Sequence, residues 1–237
     1  VDGTSIEGRS AAEVLSDIGA QATLSSANTT TEGKVELATS AETATGTDTS
    51  RAVTADGLAD VYQYANIYVD AGAMVSTDTN GADADTNEYA TNDVNYDYFA
   101  FNTSTEEAVN FKLIMPENWD RSTINAIFHW STESGSSAGD TVEWAIKAAA
   151  LANDDAIDAS WGTQQVISDT VLAGTNGDLH ITAATPATTV AGSPALGELI
   201  SFEVYRNVGS AGDDCAEDAW LFGVMVQYKI TNVVAAW

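Results

Sequence analysis

Basic residues are scarce in this chain. Its 237 residues include 8 Lys and Arg against 35 Asp and Glu, a formal net charge of −27 at pH 7. This excess of negative charge repels nucleic acids and anionic membranes, so the composition excludes DNA or RNA binding as a function. It is typical of a protein that works outside the cell in a salty medium, where charge is screened within about 10 Å. An acidic intracellular protein is the alternative.

Cysteine is almost absent. Cys215 is the single cysteine, so no intrachain disulfide can form. It lies in the acidic segment 212–218, whose carboxylates should raise the pKa of the thiol, and we expect an inert side chain.

Long apolar runs are absent as well. None approaches the roughly 20 residues that a membrane-spanning helix needs, so we expect no membrane insertion. Residues 1–4 contain neither a basic nor an apolar region and predict no signal peptide. Because the sequence lacks an initiator Met, we expect a processed chain or part of a longer product.

Histidine is limited to His129 and His180. Each falls in a strand-like segment, and neither has a nucleophile-elbow pattern nearby, so we expect both to be structural. No CxxC or HExxH motif points to zinc. We therefore predict no catalytic residue, no cofactor and no enzymatic activity. Carboxylate pairs will arise by chance among 35 acidic residues, and such pairs alone do not identify a glycosidase.

The N-terminal quarter has little material for an apolar core. Residues 10–19 predict a helix, with Ser10 and Glu13 as a capping box and Gly19 as its stop. Its apolar stripe is too narrow to stabilise an isolated helix, and copies around a threefold axis would cover it. Residues 33–58 are polar; they predict one short strand at 34–37, a helical turn from Ser40 ended by Gly46, and a second helix capped by residues 54–56.

Residues 34–58 read KVELATSAETATGTDTSRAVTADGL. They closely resemble a segment that recurs in tail fibres of tailed bacteriophages, and the matches at 36–39 and 51–54 are almost word for word. The family commonly has Pro where Ala55 stands here. Residues 1–20, VDGTSIEGRSAAEVLSDIGA, are similar to short repeats that precede receptor-binding tips in such fibres. The resemblance implies a fibre on the virion surface, usually a parallel homotrimer with its tip at the C-terminus.

From residue 64 onward the pattern is all-β. About eight short strands, separated by Gly-, Asn- and Ser-rich loops, predict a mainly-β two-sheet sandwich, with a jelly roll as the best match. We therefore predict an extended, trimerising segment with short helices at 1–63 and a jelly-roll-like tip at 64–237. The first predicted strand opens at 67–69 and has 74–75 near its end. The others lie at 96–101, 108–115, 124–130, 142–148, 164–167, 179–182, 199–206 and 220–228.

Strand alternation predicts which aromatic residues lie in the core. Trp130 and Trp144 fall on apolar faces of their strands. In the last strand, alternation places Trp220 in the core on one face with Phe222, Val224, Val226 and Tyr228. The same C-terminal region is similar to a sandwich module of many phage virion proteins, at PENW (116–119) and LHIT (179–182), and this resemblance brings no catalytic motif.

Two acidic segments are candidates for calcium binding. The segment 78–88 does not fit the EF-hand pattern, so a solvated loop is the favoured interpretation. A second group of carboxylates consists of Asp154, Asp155 and Asp158. The candidate calcium ligands in the first segment are Asp78, Asn80, Asp83 and Asp85, and Glu88 offers a further carboxylate.

Two tryptophans are candidates for stacking on a sugar. Trp119 and Trp161 lie in predicted loops near polar residues, where an exposed ring could cover the face of a pyranose. Anchoring a loop in the core is the alternative, and it is the more common fate of such rings.

The sequence thus predicts a virion fibre or spike protein. Its partners would be two further copies of the chain, other virion proteins through the N-terminal segment, and a host-surface glycan or other receptor at the tip. Three tips per fibre would raise a weak affinity through avidity. One alternative is a head fibre or decoration protein with a mainly structural role. A polysaccharide-trimming enzyme is a further alternative.

Overall fold

The computed structural model describes Ser10 and residues 34–61, 63–172 and 177–231. The described residues up to Val61 belong to one compact unit, and those from Gln63 onward belong to a second. Apart from Ser10, the helix predicted over residues 10–19 lies outside the described residues. No described helix is long and apolar enough to cross a membrane.

The first unit contains two very short strands and two short helices. They are β1 (Glu36–Leu37), α1 (Ser40–Thr45), β2 (Arg51–Ala52) and α2 (Ala55–Val61). β1 and β2 pair in parallel. The capping residues explain where the helices begin: Thr39 and Glu42 form a capping box at α1, and the Thr54 hydroxyl accepts a hydrogen bond from the Gly57 N–H at 2.9 Å.

Polar contacts hold this unit together. The Arg51 guanidinium pairs with Glu36 at 3.4 Å and with Glu42 at 2.9 Å, and it also contacts Asp48. Four large apolar side chains in the described part of this unit are exposed by contrast, by about half or more. These exposed residues are Val35, Leu37, Val53 and Leu58.

The second unit is a mainly-β, jelly-roll-like sandwich of two antiparallel sheets, which confirms the predicted fold class. Its strands are β3 (Tyr64–Asp70), β4 (Val75–Ser76), β5 (Asp83–Tyr89), β6 (Val94–Phe101), β7 (Ala108–Ile114), β8 (Trp119–Thr132), β9 (Thr141–Leu151), β10 (Gln165–Thr170), β11 (His180–Ile181), β12 (Thr188–Thr189), β13 (Leu199–Arg206) and β14 (Ala219–Ile230). One sheet has five strands in the order β10-β9-β13-β7-β4. The other has seven, in the order β11-β8-β14-β6-β5, with β12 beside β8 and β3 beside β14.

The core lies between the two sheets and follows the alternation of the sequence. Trp130 on β8 and Trp144 on β9 are 0% exposed, as predicted. Phe128 stacks on Trp144 with ring centroids 5.6 Å apart. Burial of a side chain such as Phe128 contributes about 1.5–3 kcal/mol, and these inward rows therefore fix the register of both sheets.

A β-bulge in β14 overturns one core prediction. The pairing of β14 with β8 shifts between Leu221 and Gly223. Leu221 and Val224 are both fully buried in the core, so Trp220 and Phe222 lie on the outer face of the sheet. The prediction that Trp220 and Phe222 share the core face of Val224 was wrong, because an extra residue in one strand reverses the alternation beyond it.

The acidic segment 78–88 is only partly a loop. Its second half forms β5, an edge strand that pairs with β6 in the register Asp85↔Tyr98. Asp and Asn disfavour strands, but an edge strand can leave such side chains in water while its backbone pairs on one side. β5 and the two-residue strands raise the described total from the predicted eight or so to twelve strands, β3–β14.

A buried arginine ties the loop after β13 to the sandwich. Arg206 is 0% exposed, and its guanidinium donates to both carboxylate oxygens of Asp213, at 2.9 and 2.7 Å. It also donates to the carbonyl oxygens of Cys215 and Glu217, at 2.6 and 2.8 Å. Every nitrogen of this buried cation therefore has a partner, as its burial requires.

Cys215 lies in the same loop. It is 3% exposed, and burial raises the pKa of its thiol more than the neighbouring carboxylates do. The direction matches the sequence prediction, but the main cause is desolvation of the thiolate.

Candidate functional site

A cavity of about 290 Å³ opens on the outer face of the seven-stranded sheet. We call it the tyrosine cavity after Tyr68, Tyr89 and Tyr96. Its other lining residues are Asp70, Asn95, Asp97, His129, Gly177, Leu179 and Phe222.

Alternation within the strands brings the tyrosines to this face. On β3, Ile67 and Val69 pack into the core, so Tyr68 between them points outward and is 49% exposed. On β6, Phe99 packs inward and Tyr96 lies on the opposite side, 44% exposed. The outer face of the sheet thus presents large aromatic rings to solvent, and these rings do not contribute to the core.

The bulge in β14 places Gly223 where the Tyr68 ring crosses the strand. A Cβ atom at Gly223 would lie 2.6 Å from the Val69 carbonyl oxygen and still closer to the Tyr68 hydroxyl. Only a glycine therefore lets the Tyr68 ring cross the strand here. The ring is held by a hydrogen bond from its hydroxyl to the Phe222 carbonyl at 3.3 Å and by an edge contact with His129 at 5.2 Å.

Ring contacts also fix the other side of the cavity. Tyr96 packs against Phe222 at 5.2 Å and against Tyr89 at 5.8 Å. The row continues outside the cavity, where Tyr98 and Trp220 lie 4.7 Å apart. Such pairs contribute about 0.5–1.5 kcal/mol each beyond their buried area, so the cavity is built from mutually supported rings.

Two polar atoms in the cavity wall have no hydrogen-bond partner among the described residues. They are Nδ1 of His129 and the hydroxyl of Tyr89, and both are buried. An unsatisfied buried polar group costs about 1–3 kcal/mol. A ligand hydroxyl that reached either atom would remove that penalty. Asp70, Asn95 and Asp97 also line the cavity.

The charges in the cavity are of one sign. Burial lowers the pKa of His129, so its imidazole is neutral at pH 7. Burial, and then the charge of Asp70, raises the pKa of Tyr68, so its phenol keeps its proton. The described lining residues thus include two carboxylates and no cation. This combination suits an uncharged ligand rich in hydroxyl groups and repels anions.

Trp161, one of the two predicted stacking residues, lies at a second depression, which we call the Trp161 groove. The groove has a volume of about 190 Å³ and lies on the outer face of the five-stranded sheet. The side chain of Trp161 is half-buried there. Lining residues besides Trp161 are Asn110, Phe111, Lys112, Ala149, Leu151, Ile157, Asp158, Ala159 and Ser201.

Trp119, the other predicted stacking residue, is in the core. It begins β8, is 2% exposed and belongs to the central cluster of buried side chains. A ring with no exposed face cannot stack on a ligand, so the prediction of Trp119 as a candidate ligand-binding residue is wrong. Its ring instead anchors the start of β8 in the core.

The candidate calcium ligands are not gathered into a site. Asp83 and Asp85 lie on β5, while Asp78 and Asn80 precede it. The Asp85 carboxylate instead accepts hydrogen bonds from the Tyr98 hydroxyl at 3.2 Å and from the Thr86 N–H at 2.8 Å. Within residues 34–61, 63–172 and 177–231, no three His, Cys, Asp or Glu side chains are grouped to hold a metal.

The tyrosine cavity itself was not predicted from the sequence. Its residues come from β3, β5, β6, β8 and β14 and from the segment 177–179 before β11, so they span residues 68–222 of the chain. One signal was present: aromatic residues at Tyr96 and Tyr98 alternate against the apolar Phe99 and Phe101, so they must face away from the core.

No protein-family model and no curated protein matches the chain. Among solved structures, it is similar to the Family 11 carbohydrate-binding module from Clostridium thermocellum in complex with a β-1,3-1,4-mixed-linked tetrasaccharide, with 12% identity, a TM-score of 0.35, and 68% of this chain and 94% of that chain covered. The chain is also similar to a non-crystalline cellulose specific carbohydrate-binding module of family 28. The identity is 10% and the TM-score 0.34, with 67% of this chain and 86% of that chain covered. A third similar structure is a carbohydrate esterase from the Shiga toxin-encoding bacteriophage phi24B. The identity is 6% and the TM-score 0.28, with 73% of this chain and 94% of that chain covered.

Proposed function

We propose that the sandwich is a non-catalytic module that binds an uncharged saccharide in the tyrosine cavity. The observation that carries the proposal is the combination in that cavity of three tyrosine rings, two carboxylates and two unpartnered buried polar atoms. The rings can cover the apolar C–H face of a pyranose, and the polar groups can exchange hydrogen bonds with its hydroxyls.

We further propose that the module is the tip of a virion fibre that contacts a glycan on the host surface. The resemblance of residues 34–58 to phage tail fibres supports this assignment. A single cavity of this size binds a sugar weakly, so several tips acting together would be needed for firm attachment.

Trimerisation through the N-terminal unit is part of the proposal. Val35, Leu37, Val53 and Leu58 are 47–61% exposed, and burial against other copies would remove this apolar surface from water. We expect the 237-residue chain to sediment as a trimer at micromolar concentration in analytical ultracentrifugation. A monomer under these conditions would contradict the fibre architecture and leave the saccharide site untouched.

Replacement of Tyr96 by alanine tests the saccharide site. On an array of neutral and anionic glycans, we expect the wild-type chain to bind neutral glycans. Tyr96→Ala should weaken the best of them at least about tenfold, or about 1.4 kcal/mol, because the cavity loses a ring that contacts both Phe222 and Tyr89.

Tyr64→Ala is the matched control. Tyr64 is 56% exposed on β3 and does not line the cavity, so its loss should leave binding unchanged. Equal binding by Tyr96→Ala and the wild type, or a preference for anionic glycans, would show that the cavity is not the site.

A further inference from the structure

The Trp161 groove lies on the side of the sandwich opposite the tyrosine cavity. On β7, Val109 and Phe111 point into the core, so Asn110 and Lys112 point outward. Ser201 lies opposite Lys112 in the register of β13 with β7, on the same outer face. The groove and the cavity are therefore separated by the thickness of both sheets.

The loop that carries Trp161 is held against the sheet by its neighbour Gly162. The Gly162 N–H donates to the Ala148 carbonyl at 3.1 Å. A Cβ atom at Gly162 would lie 3.0 Å from the same oxygen and closer still to the Thr189 carbonyl. Only glycine permits this approach, so the indole of Trp161 projects from a fixed backbone.

The groove combines hydrogen-bond donors with acceptors. The Asn110 Oδ1 atom is buried and has no partner among the described residues. Lys112, Ser201 and Asp158 line the same groove, and their side chains carry an ammonium group, a hydroxyl and a carboxylate. The formal charges of Lys112 and Asp158 cancel, which favours a ligand without net charge.

From these features we infer that the Trp161 groove is a second saccharide-binding site. A neutral pyranose meets each requirement: its C–H face covers the indole, one hydroxyl donates to Asn110 Oδ1, and others accept from Lys112 or donate to Asp158. The site is independent of the tyrosine cavity, and one sandwich can thus hold two sugar chains on opposite sides.

The competing role for Trp161 is that of a loop anchor with no ligand. The two roles make different predictions for Lys112 and Asn110, because an anchor does not need a nearby ammonium group or an unpartnered buried carbonyl. A variant on the strand, away from the loop, therefore separates binding from loop stability.

The test is an NMR titration of the full chain with cellohexaose, mannohexaose and chitohexaose at millimolar concentration. We expect at least one of them to shift the indole N–H signal of Trp161, both in the wild type and in Tyr96→Ala. Lys112→Gln should lower the affinity measured on this indole signal, and Trp161→Ala should lower at least tenfold the affinity measured on the backbone N–H signal of Ser201, which lines the groove. Lys229→Gln, an exposed strand lysine outside both sites, should change nothing.

The outcomes separate the two sites. If none of the three hexasaccharides shifts the Trp161 signal, or if Lys112→Gln binds like the wild type, the second site is overturned. If Tyr96→Ala abolishes the Trp161 shift, the two sites are not independent and the inference also fails. Loss of binding in Trp161→Ala alone, with Tyr96→Ala unaffected, would support the groove and contradict the tyrosine cavity.

Discussion

Replacing Arg206 with methionine should lower the free energy of unfolding of the sandwich by about 3–5 kcal/mol. The guanidinium is 0% exposed and the Asp213 side chain only 3%, so the pair is shielded from water. Removal of the cation leaves the carboxylate buried without its counter-ion. Few single substitutions elsewhere in this chain should have so large an effect.

The effect should exceed the loss of one ion pair. The same guanidinium donates to the carbonyl oxygens of Cys215 and Glu217, which tie the loop after β13 back to the sheet. Asp213 in turn accepts from the backbone N–H of Glu143 at 3.0 Å, at the start of β9. Loss of the arginine therefore leaves several buried acceptors unpaired at once.

Lys147→Met is the matched control, since it removes one positive charge from the neighbouring strand. Lys147 pairs with Glu203 at 2.6 Å, but both side chains are partly in water, with 24% and 17% exposed. We expect it to cost about 1 kcal/mol. Urea unfolding followed by tryptophan fluorescence measures both values, and equal midpoints for the two variants would refute the role assigned to Arg206.

The sequence predicted the central strands because every second residue in them is apolar. β13 matches its predicted span of residues 199–206, and the run at 142–148 falls within β9. Both strands lie in the middle of a sheet that is buried on its inner face, where every second residue must be apolar. The same physical requirement made Trp130 and Trp144 predictable as core residues.

The rest of the fold depends on features that a pattern of alternating apolar and polar residues does not predict. The bulge at Phe222 inserts one residue into β14, so the outward position of Trp220 follows from a pairing irregularity and not from its neighbours in sequence. β5 is stabilised by pairing with β6 rather than by its own composition. Tertiary pairing determined both elements.

The candidate sites also differ in whether the local sequence predicts them. Trp161 was recognisable as an aromatic residue in a polar loop, and the structure places it at a groove; Trp119 gave the same signal and is buried. A loop residue's environment depends on the sheet beneath it, which the local sequence does not specify. The tyrosine cavity needs five strands to be brought together, so it became visible only in three dimensions.

Replacing Gly223 with alanine should damage both the fold and the tyrosine cavity. The new methyl group would lie 2.6 Å from the Val69 carbonyl oxygen and would also collide with the Tyr68 ring. A backbone carbonyl cannot rotate away as a side chain can, so β3 must shift. We expect a loss of about 1–3 kcal/mol in the free energy of unfolding and at least a tenfold loss in saccharide affinity.

Gly209→Ala provides the control for this prediction. Among the described residues, its two chain neighbours aside, none has an atom within 4 Å of a Cβ built at Gly209, so the same substitution there should change the free energy of unfolding by no more than about 0.5 kcal/mol. Denaturant unfolding and glycan titration of both variants check the two effects. Unchanged saccharide affinity in Gly223→Ala would mean that the position of the Tyr68 ring does not affect saccharide binding.

The double variant Tyr68→Ala/Gly223→Ala separates the two causes of instability. Removal of the Tyr68 ring relieves its collision with the new methyl group, but the close approach to the Val69 carbonyl remains. The double variant should therefore be less unstable than the sum of the single variants, yet less stable than Tyr68→Ala alone. Strict additivity would mean that Gly223 and the Tyr68 ring do not interact. The bulge would then have no part in shaping the cavity.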